Sequence, residues 1–564
     1  MVRVRDHDPC GGLAPTLPCL GMVYKPFKPS IKLPDYIDDQ FKAYLDYNNI
    51  STTEFEVYKV VPKKNLDYAN KSLLRYAQAS GPFEDHYVQY LFLDSIEKLD
   101  SLMHKYIGNS EMYTYDKVLG NLQPLKACGY PWMLQFQYKI DYWTSPMKDY
   151  FDYFWSYLHT INYIRTVCNV SLKEELRLAS KILAGSVRSI ISMDVNHVVS
   201  HCILAMDQNE KLKAHLFETP FMLGLNLFYG GANRLVYHMT PPEWKGPCTI
   251  ELDGKQFDGT CKHDPHFKGI AELRWRWLAR LYRTKENRKR LQNLYNDLCN
   301  SPLVNIDGHV FGRSTGNPSG QGCTTPDNSF KNWMDIYVLW CLCTPEEYHT
   351  LEKFQENVIC IIVGDDVSLT VNPTMHEYFN HKTIELNSHK IGMVYHFASD
   401  KFEYFKDTTF LGHGFLEVDD HPRGGLKMYY PTIDSVKMRC SLLQYNEEGT
   451  IAMSIIRACA LRNETFANKA DRVFFDDYIL WLKSRHFPSI DHDIKTAWKA
   501  YLTDNQLHEL YSGFSTTGYF SEADVKLETK YENVLVSDKD TQTIIQEIDG
   551  MSADHYPVVF TETC

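Results

Sequence analysis

The sequence predicts an α+β protein, with an antiparallel sheet and its own helices in the middle of the chain and a larger helical frame on either side. Three observations predict it. Short apolar runs bounded by turn residues cluster between residues 248 and 418. Helical periodicity dominates 40–170 and 430–515. The 564 residues, 44% hydrophobic and 23% charged, have ordinary globular composition and are too many for one small core.

The elements follow in order. Residues 1 to about 30 are punctuated by Pro and Gly and read as irregular. The helical stretch 40–170 is rich in tyrosine and is interrupted by a turn at KACGYPW, 126–132. VNHVVSHCILAMDQNEKLKAHL, 195–216, has helical periodicity. CTIELDGKQFDGT, 248–260, opens as a strand and ends in polar turn chemistry. AELRWRWLARLYRTKENRKRLQNLYNDL, 271–298, reads as one long helix with Arg276, Arg280 and Arg283 on one face. LVNIDGHVFG, 303–312, reads as a hairpin with an Asp-Gly turn. PDNSFKNWMDIYVLWCLC, 326–343, is another helix, and VICIIVGDDVSLTV, 358–371, is strand, turn, strand with two adjacent aspartates at the hinge. TFLGHGFLEV, 409–418, is strand-like, and after 520 the composition turns polar, as in a linker or loosely attached tail.

Composition narrows the function. A net charge of −12 argues against a generic nucleic-acid coat, though an enzyme can keep basic residues in a channel beneath an acidic exterior. The 15 cysteines include no CxxC pair, and Cys248, Cys261 and His263 are poorly spaced for zinc. Free, mostly buried thiols in a reducing compartment are expected. No stretch is long and apolar enough to cross a bilayer, and MVRVRDHDPCGG lacks the apolar core of a signal peptide, so a cytosolic location is the expectation.

Adjacent negative charges repel, so Asp365 and Asp366 need a positive partner. Asp253 ends the strand CTIEL, and Asp258 follows five residues on. If that strand neighbours the hairpin, Asp253 and Asp365 face one another at one end of the sheet. Carboxylates so placed suit two hard divalent cations, which together stabilise the attacking and leaving oxygens of a phosphoryl transfer. Between them, STGNPSGQGCTTPDNSFKNW, 314–333, carries Gly316, Gly320 and Gly322, which permit close backbone approach, and Ser319, Thr324 and Asn328. Alone, that stretch reads equally as a flexible loop and helix cap.

Order changes the reading. Asp-x4-Asp, then Ser-Gly-x3-Thr-x3-Asn, then Gly-Asp-Asp resembles motifs A, B and C of viral RNA-dependent RNA polymerases. LKEELRLASKILAGSVRSI, 172–190, looks like motif F, with Lys173, Glu174, Arg177, Lys181 and Arg188 at its charged positions. KACGYPW resembles motif G, FASDKFEYF (397–405) motif D, and TFLGHGF motif E. Among positive-strand RNA viruses, GNPSGQGCTTPDN, FDGT, LFYGGANRL (227–235) and RWRWL (274–278) are most similar to astrovirus polymerases, with potyvirus relatives next. Val363 stands where astroviruses usually carry tyrosine, and Lys255-Gln256 is nearer the potyvirus pattern.

The resemblance implies a right-hand fold of fingers, palm and thumb, with an antiparallel palm sheet backed by helices. Residues 1–125 would form an N-terminal extension and fingers–thumb bridge. The fingers with motifs G and F would occupy 126–247, and the palm with motifs A to D 248–405, with a fingers insertion before motif B. Motif E and a helical thumb would follow at 406–520, then a polar tail at 521–564. It implies template-directed RNA synthesis with two Mg²⁺ ions, for which Mn²⁺ substitutes, held by Asp253, Asp365 and Asp366. Asp258, Ser319, Gly320, Thr324 and Asn328 would read the ribose. Lys173, Arg177, Lys181 and Arg188 would line the triphosphate path, with Arg188 forking onto phosphate. Lys401, with Lys406 as competitor, would protonate pyrophosphate. The basic run 274–290 reads either as an RNA cradle or as a solvated face. Implied partners are RNA template, nascent strand and ribonucleoside triphosphates, with a protein primer and other viral replication proteins left open. The implied location is host cytoplasm, at membrane-associated replication complexes. A reverse transcriptase and a catalytically inactive RNA-binding scaffold are the competing readings.

Overall fold

The structure, a computed structural model, describes residues 12–25, 37–78, 81–419, 421, 428–444, 449–486 and 491–514. The polar tail from 521 lies outside the described residues. The chain divides into two compact units: the first holds 59–225 and 242–405 with the N-terminal stretch, the second 36–58, 226–241 and the chain from 406.

The first unit contains nine strands that matter here: β1 Cys19–Met22, β2 Cys168–Leu172, β3 Ser189–Ser192, β4 Thr249–Gly254, β5 Leu303–Val304, β6 His309–Phe311, β7 Val358–Val363, β8 Asp366–Val371 and β9 Tyr395–His396. They form a five-stranded sheet in the order β1-β6-β5-β2-β3 and a four-stranded sheet in the order β9-β4-β8-β7. The second sheet is antiparallel throughout. Its strands are β-branched and alternate, so Ile250 and Leu252, Cys360 and Ile362, and Val367 and Leu369 all join one buried core.

Among the helices of this unit are α1 His86–Ile107, α2 Val195–Ala214, α3 Lys268–Trp277, α4 Lys285–Asn300 and α5 Thr324–Cys343. In α5, Met334, Ile336, Tyr337, Val338, Leu339 and Trp340 are all buried. From Ile336 to Cys341 the helix is apolar on every side and belongs inside, and α5 packs between α1 and β7. Among the described residues no helix is long and apolar enough to cross a membrane.

The hairpin at 303–312 and the hairpin at 358–371 stand as the sequence predicts. Two elements differ. The stretch 271–298 is not one helix: α3 stops at Trp277 and α4 starts at Lys285. Ser110 takes the backbone there, donating its N–H to Trp277 O at 2.8 Å and accepting from Ala279 N at 2.7 Å. Thr284 then caps α4 through Asn287 N. Arg276, Arg280 and Arg283 therefore share no helix face. The second difference is β1, in a region expected to be irregular, which adds to the open edge of β6 with Gly21 opposite Val310.

The second unit is mainly helical: Asp39–Tyr47, Gly231–His238, Ser435–Leu443, Ile451–Glu464, Lys469–His486, His492–Ala497 and Asp504–Ser512. Phe41, Leu45, Leu443, Ile455, Tyr478 and Leu482 form its main core. The buried Asp38 carboxylate caps the first helix and accepts from Ser454 Oγ at 2.7 Å. The strand expected at 409–418 runs from Gly414 to Val418 and pairs with Met428–Thr432.

Candidate active site

The β7–β8 hairpin turns at Gly364, whose φ of +65° favours glycine. Val363 pairs with Asp366 across the turn, and Asp365 occupies its tip. The tip is clamped by α5: Gly364 N donates to Ser329 Oγ at 2.8 Å, and Asn332 Nδ2 donates to Gly364 O at 2.7 Å. On the other side β8 pairs with β4, Val367 opposite Leu252, which sets Asp366 beside Asp253. All three aspartates are exposed. Among the described residues none of the three forms an ion pair with a lysine, arginine or histidine. The Asp366 carboxyl is pushed up to about 7, first by desolvation among its neighbours and then by the negative charges of Asp365 and Asp253.

No ready-made cage of three or more acidic, histidine or cysteine ligands exists among the described residues. A small hard cation that keeps several waters and shares substrate phosphates needs only one or two carboxylates. Mutually repelling carboxylates on adjacent strands, with no ion pair to a basic side chain among the described residues, fit that donor chemistry.

Beyond β4 the chain turns sharply at Gln256, φ +53°, into the single turn Phe257–Thr260 that carries Asp258. A Cβ on Gly259 would lie 1.8 Å from the Arg75 carbonyl oxygen. Gly259→Ala is therefore expected to destabilise the first unit by about 1–3 kcal/mol and to lower its thermal midpoint, since a backbone atom rather than a flexible side chain must yield. An unchanged midpoint would contradict this packing.

Asp258 O accepts from Asn317 N at 2.8 Å, and Asn317 Nδ2 donates to Asn328 Oδ1 at 2.8 Å, so Asp258 and Asn328 are joined through one residue. Desolvation raises the Asp258 carboxyl above its ordinary value, Arg75 and Arg188 draw it down, and Asp365 pushes it up. Ser319 Oγ accepts from Ile191 N at 3.1 Å. Gly320 lies so close to β3 that a Cβ would sit 2.8 Å from Ile191 O. The Thr324 hydroxyl faces carbonyls of its own loop, Pro318 O at 3.0 Å among them.

The basic segment converges on a residue the sequence reading did not single out. Glu175 accepts a forked contact from Arg188, with Nε at 2.7 Å, and pairs with Lys173 at 3.5 Å and Arg177 at 3.4 Å. Glu174, by contrast, pairs with Lys63 at 2.6 Å. Arg188 is held above its ordinary value, chiefly by Glu175 and further by the fields of Asp365 and Asp258. Lys181 is exposed and has no ion pair among the described residues. Lys401 is also exposed. Its loop leaves β9, where His396 pairs with Asp253, and rejoins β4 where Glu403 pairs with Thr249. Lys406 pairs with Asp407 at 2.7 Å.

Behind the 316–328 loop lies a fully buried ion pair, Arg274 Nη2 to Asp327 Oδ1 at 2.7 Å. Tyr295 and Gln321 Nε2 also donate to Asp327, and Arg274 Nη1 reaches Gln208 at 3.1 Å. Arg276 pairs with Glu97, Asp100 and Glu272, and Arg288 with Glu272, so these basic side chains are matched within the chain. Arg75, Ser329 and Asn332 escaped the sequence reading. For Asn332 a signal existed: it lies one helical turn after Asn328 on the same face.

Three acidic side chains at one end of a sheet, within the field of Arg188, suit metal-dependent phosphoryl transfer. Residues 56–452 match the family model for viral RNA-dependent RNA polymerase, and the chain belongs to that family. Enzymes of this family use divalent metal ions. Similar curated proteins include the genome polyprotein of Bean common mosaic necrosis virus (strain NL-3), 23% identical over 347 residues, which cover 61% of this chain and 10% of the polyprotein. That of Bean yellow mosaic virus is 26% identical over 317 residues, 56% of this chain and 10% of the polyprotein. That of Plum pox potyvirus (strain Rankovic) is 25% identical over 398 residues, 68% of this chain and 12% of the polyprotein. The chain thus spans about a tenth of the length of these relatives.

Proposed function

We propose that this chain copies an RNA template into RNA, joining ribonucleotides at the β4–β8 end of its four-stranded sheet. The observation that carries the reading is the register that sets Asp366 beside Asp253 with Asp365 at the clamped tip. Asp253 and Asp365, with Asp366 as a third donor, would hold two Mg²⁺ ions, for which Mn²⁺ substitutes. When bound, these would activate the primer 3′-hydroxyl and neutralise the triphosphate. Lys173, Arg177, Lys181 and Arg188 guide the triphosphate, and Arg188 turns its fork from Glu175 toward phosphate oxygens. Asp258 and Asn328, with Ser319, Gly320 and Thr324 shaping the loop, read the ribose 2′-hydroxyl, the group that tells RNA from DNA precursors. Lys401 donates a proton to pyrophosphate as the α-phosphorus–oxygen bond breaks.

In this reading the fingers occupy 126–247, the palm 248–405 and the thumb 406–520. The string from Gly316 to Asn328 supports a place near the astrovirus polymerases, and Lys255-Gln256 one near the potyviruses. Work at membrane-associated replication complexes in host cytoplasm accords with the family.

The test is RNA-templated extension by the purified chain, with or without Mg²⁺ and with ribo- or deoxyribonucleoside triphosphates. Incorporation is expected only with the metal and with a strong ribonucleotide preference. Asp258→Ala or Asn328→Ala should lower that preference about 10–100-fold, because a site built to pair with a hydroxyl loses its partner. Incorporation without divalent metal, or a preference unmoved by both variants, would defeat the assignment.

A further inference from the structure

We infer that Arg75 is a positioning residue for sugar selection: its guanidinium, fixed on two backbone carbonyls, holds a positive charge against the Asp258 carboxylate and ties that charge to the segment carrying Arg188. The inference rests on the reading of Asp258 as the ribose contact.

Arg75 lies in the short turn Leu74–Tyr76, far in sequence from every motif. Its planar guanidinium faces three partners and donates hydrogen bonds to two of them. Nε reaches Ser72 O at 3.0 Å, Nη2 reaches Val187 O at 3.1 Å, and Nη1 faces Asp258 Oδ2 at 3.6 Å. The first contact locks the side chain to its own turn. The second locks it to the residue before Arg188. With two donors fixed, the rigid fork leaves the third one direction in which to point.

The Asp258 contact is loose and the carboxylate is 30% exposed, so its lone pairs stay available to a further donor. The backbones are not loose. Gly259 is the only residue type that fits against the Arg75 carbonyl, given that a Cβ there would approach to 1.8 Å. Tyr76 extends the same support: its ring lies where a Cβ on Gly316 would fall, at 2.4 Å, and its carbonyl accepts from Thr315 Oγ1 at 3.2 Å. The turn 74–76 thus backs both the Asp258 turn and the start of the 316–328 loop. Arg75 is the one member whose side chain reaches the carboxylate itself.

A carboxylate drawn toward a cation fixed on one side accepts best from a 2′-hydroxyl when the sugar and the triphosphate are placed together. Arg75 supplies that coupling, because its fork joins Asp258 to the residue beside Arg188.

The experiment compares kcat/KM for a ribonucleoside triphosphate and its 2′-deoxy counterpart on one primed RNA template, using the full chain. The variants are Arg75→Gln, Arg75→Lys, Asp258→Ala and the Arg75→Gln/Asp258→Ala double. Arg75→Gln should lower the ribo-to-deoxy ratio about five- to tenfold, the scale of one charge-assisted contact, mainly through KM for the ribonucleotide. Arg75→Lys, which keeps the charge but cannot fork, should fall between Arg75→Gln and the parent and serves if Arg75→Gln does not fold. The double should show no lower ratio than Asp258→Ala alone. If Asp258→Ala lowers the ratio and neither Arg75 variant does, the inference fails and Arg75 is only a structural brace. If Asp258→Ala leaves the ratio unchanged, the reading of Asp258 fails and the inference with it.

Discussion

Asp365→Ala is expected to reduce primer extension by about 10³-fold or more while leaving template binding intact. Charge stabilisation of a phosphoryl-transfer transition state by bound cations amounts to several kcal/mol, and each ~1.4 kcal/mol is a factor of ten in rate. Asp365 is exposed at a tip held by Ser329 and Asn332 through the Gly364 backbone, so its side chain supports none of the fold. Its removal also relieves repulsion with Asp366. The variant should therefore melt no lower than the parent. Extension is measured with radiolabelled primer and binding by fluorescence anisotropy with the same RNA. Asp365→Asn, which keeps an oxygen donor but not the charge, should lie between. Parental extension by Asp365→Ala would remove the hairpin tip from the chemistry.

Asp327→Ala should have the largest effect on stability. Arg274 and Asp327 have no solvent exposure at all, and their guanidinium and carboxylate meet at 2.7 Å. Deleting the carboxylate strands a buried cation and takes the acceptor away from Tyr295 and Gln321. Breaking one partner of a buried pair costs about 3–5 kcal/mol. Replacing both with apolar residues, Arg274→Met with Asp327→Leu, removes the stranded charge and should recover most of that loss. The check is thermal unfolding followed by circular dichroism, with a drop of roughly 5–10 °C expected for the single variant. An unchanged midpoint for Asp327→Ala, or a double variant less stable than the single, would show that the pair is not what stiffens this region.

The aspartate hairpin, the 303–312 hairpin and the helix after Pro326 were legible because local pattern and tertiary structure agree there. β-branched alternation, Gly turns and a continuous apolar helix each specify themselves. The break between α3 and α4 was not legible. Nothing in RWRWLARLYRTKENRKRL stops a helix, and the interruption comes from Ser110, which captures the backbone on either side of Leu278. Tertiary pairing there overrides propensity. Glu175 was passed over for the neighbouring Glu174 because nothing in a one-dimensional string of charges says which carboxylate faces the arginines. Arg75 carried no signal, since its partners at 187 and 258 are adjacent only after folding. β1 was hidden because its strand character comes from the open edge it covers.

Under the proposed assignment, one helix would carry both halves of the reaction's control. Asn328 sits in the first turns of α5, and Ser329 and Asn332 grip the hairpin tip within the following turn. A packed helix is stiff over so short a span. If Asn328 reads the sugar as proposed, a nucleotide with the wrong sugar would strain the same rod that aligns the aspartates, and selection would register as slower bond making as well as weaker occupancy.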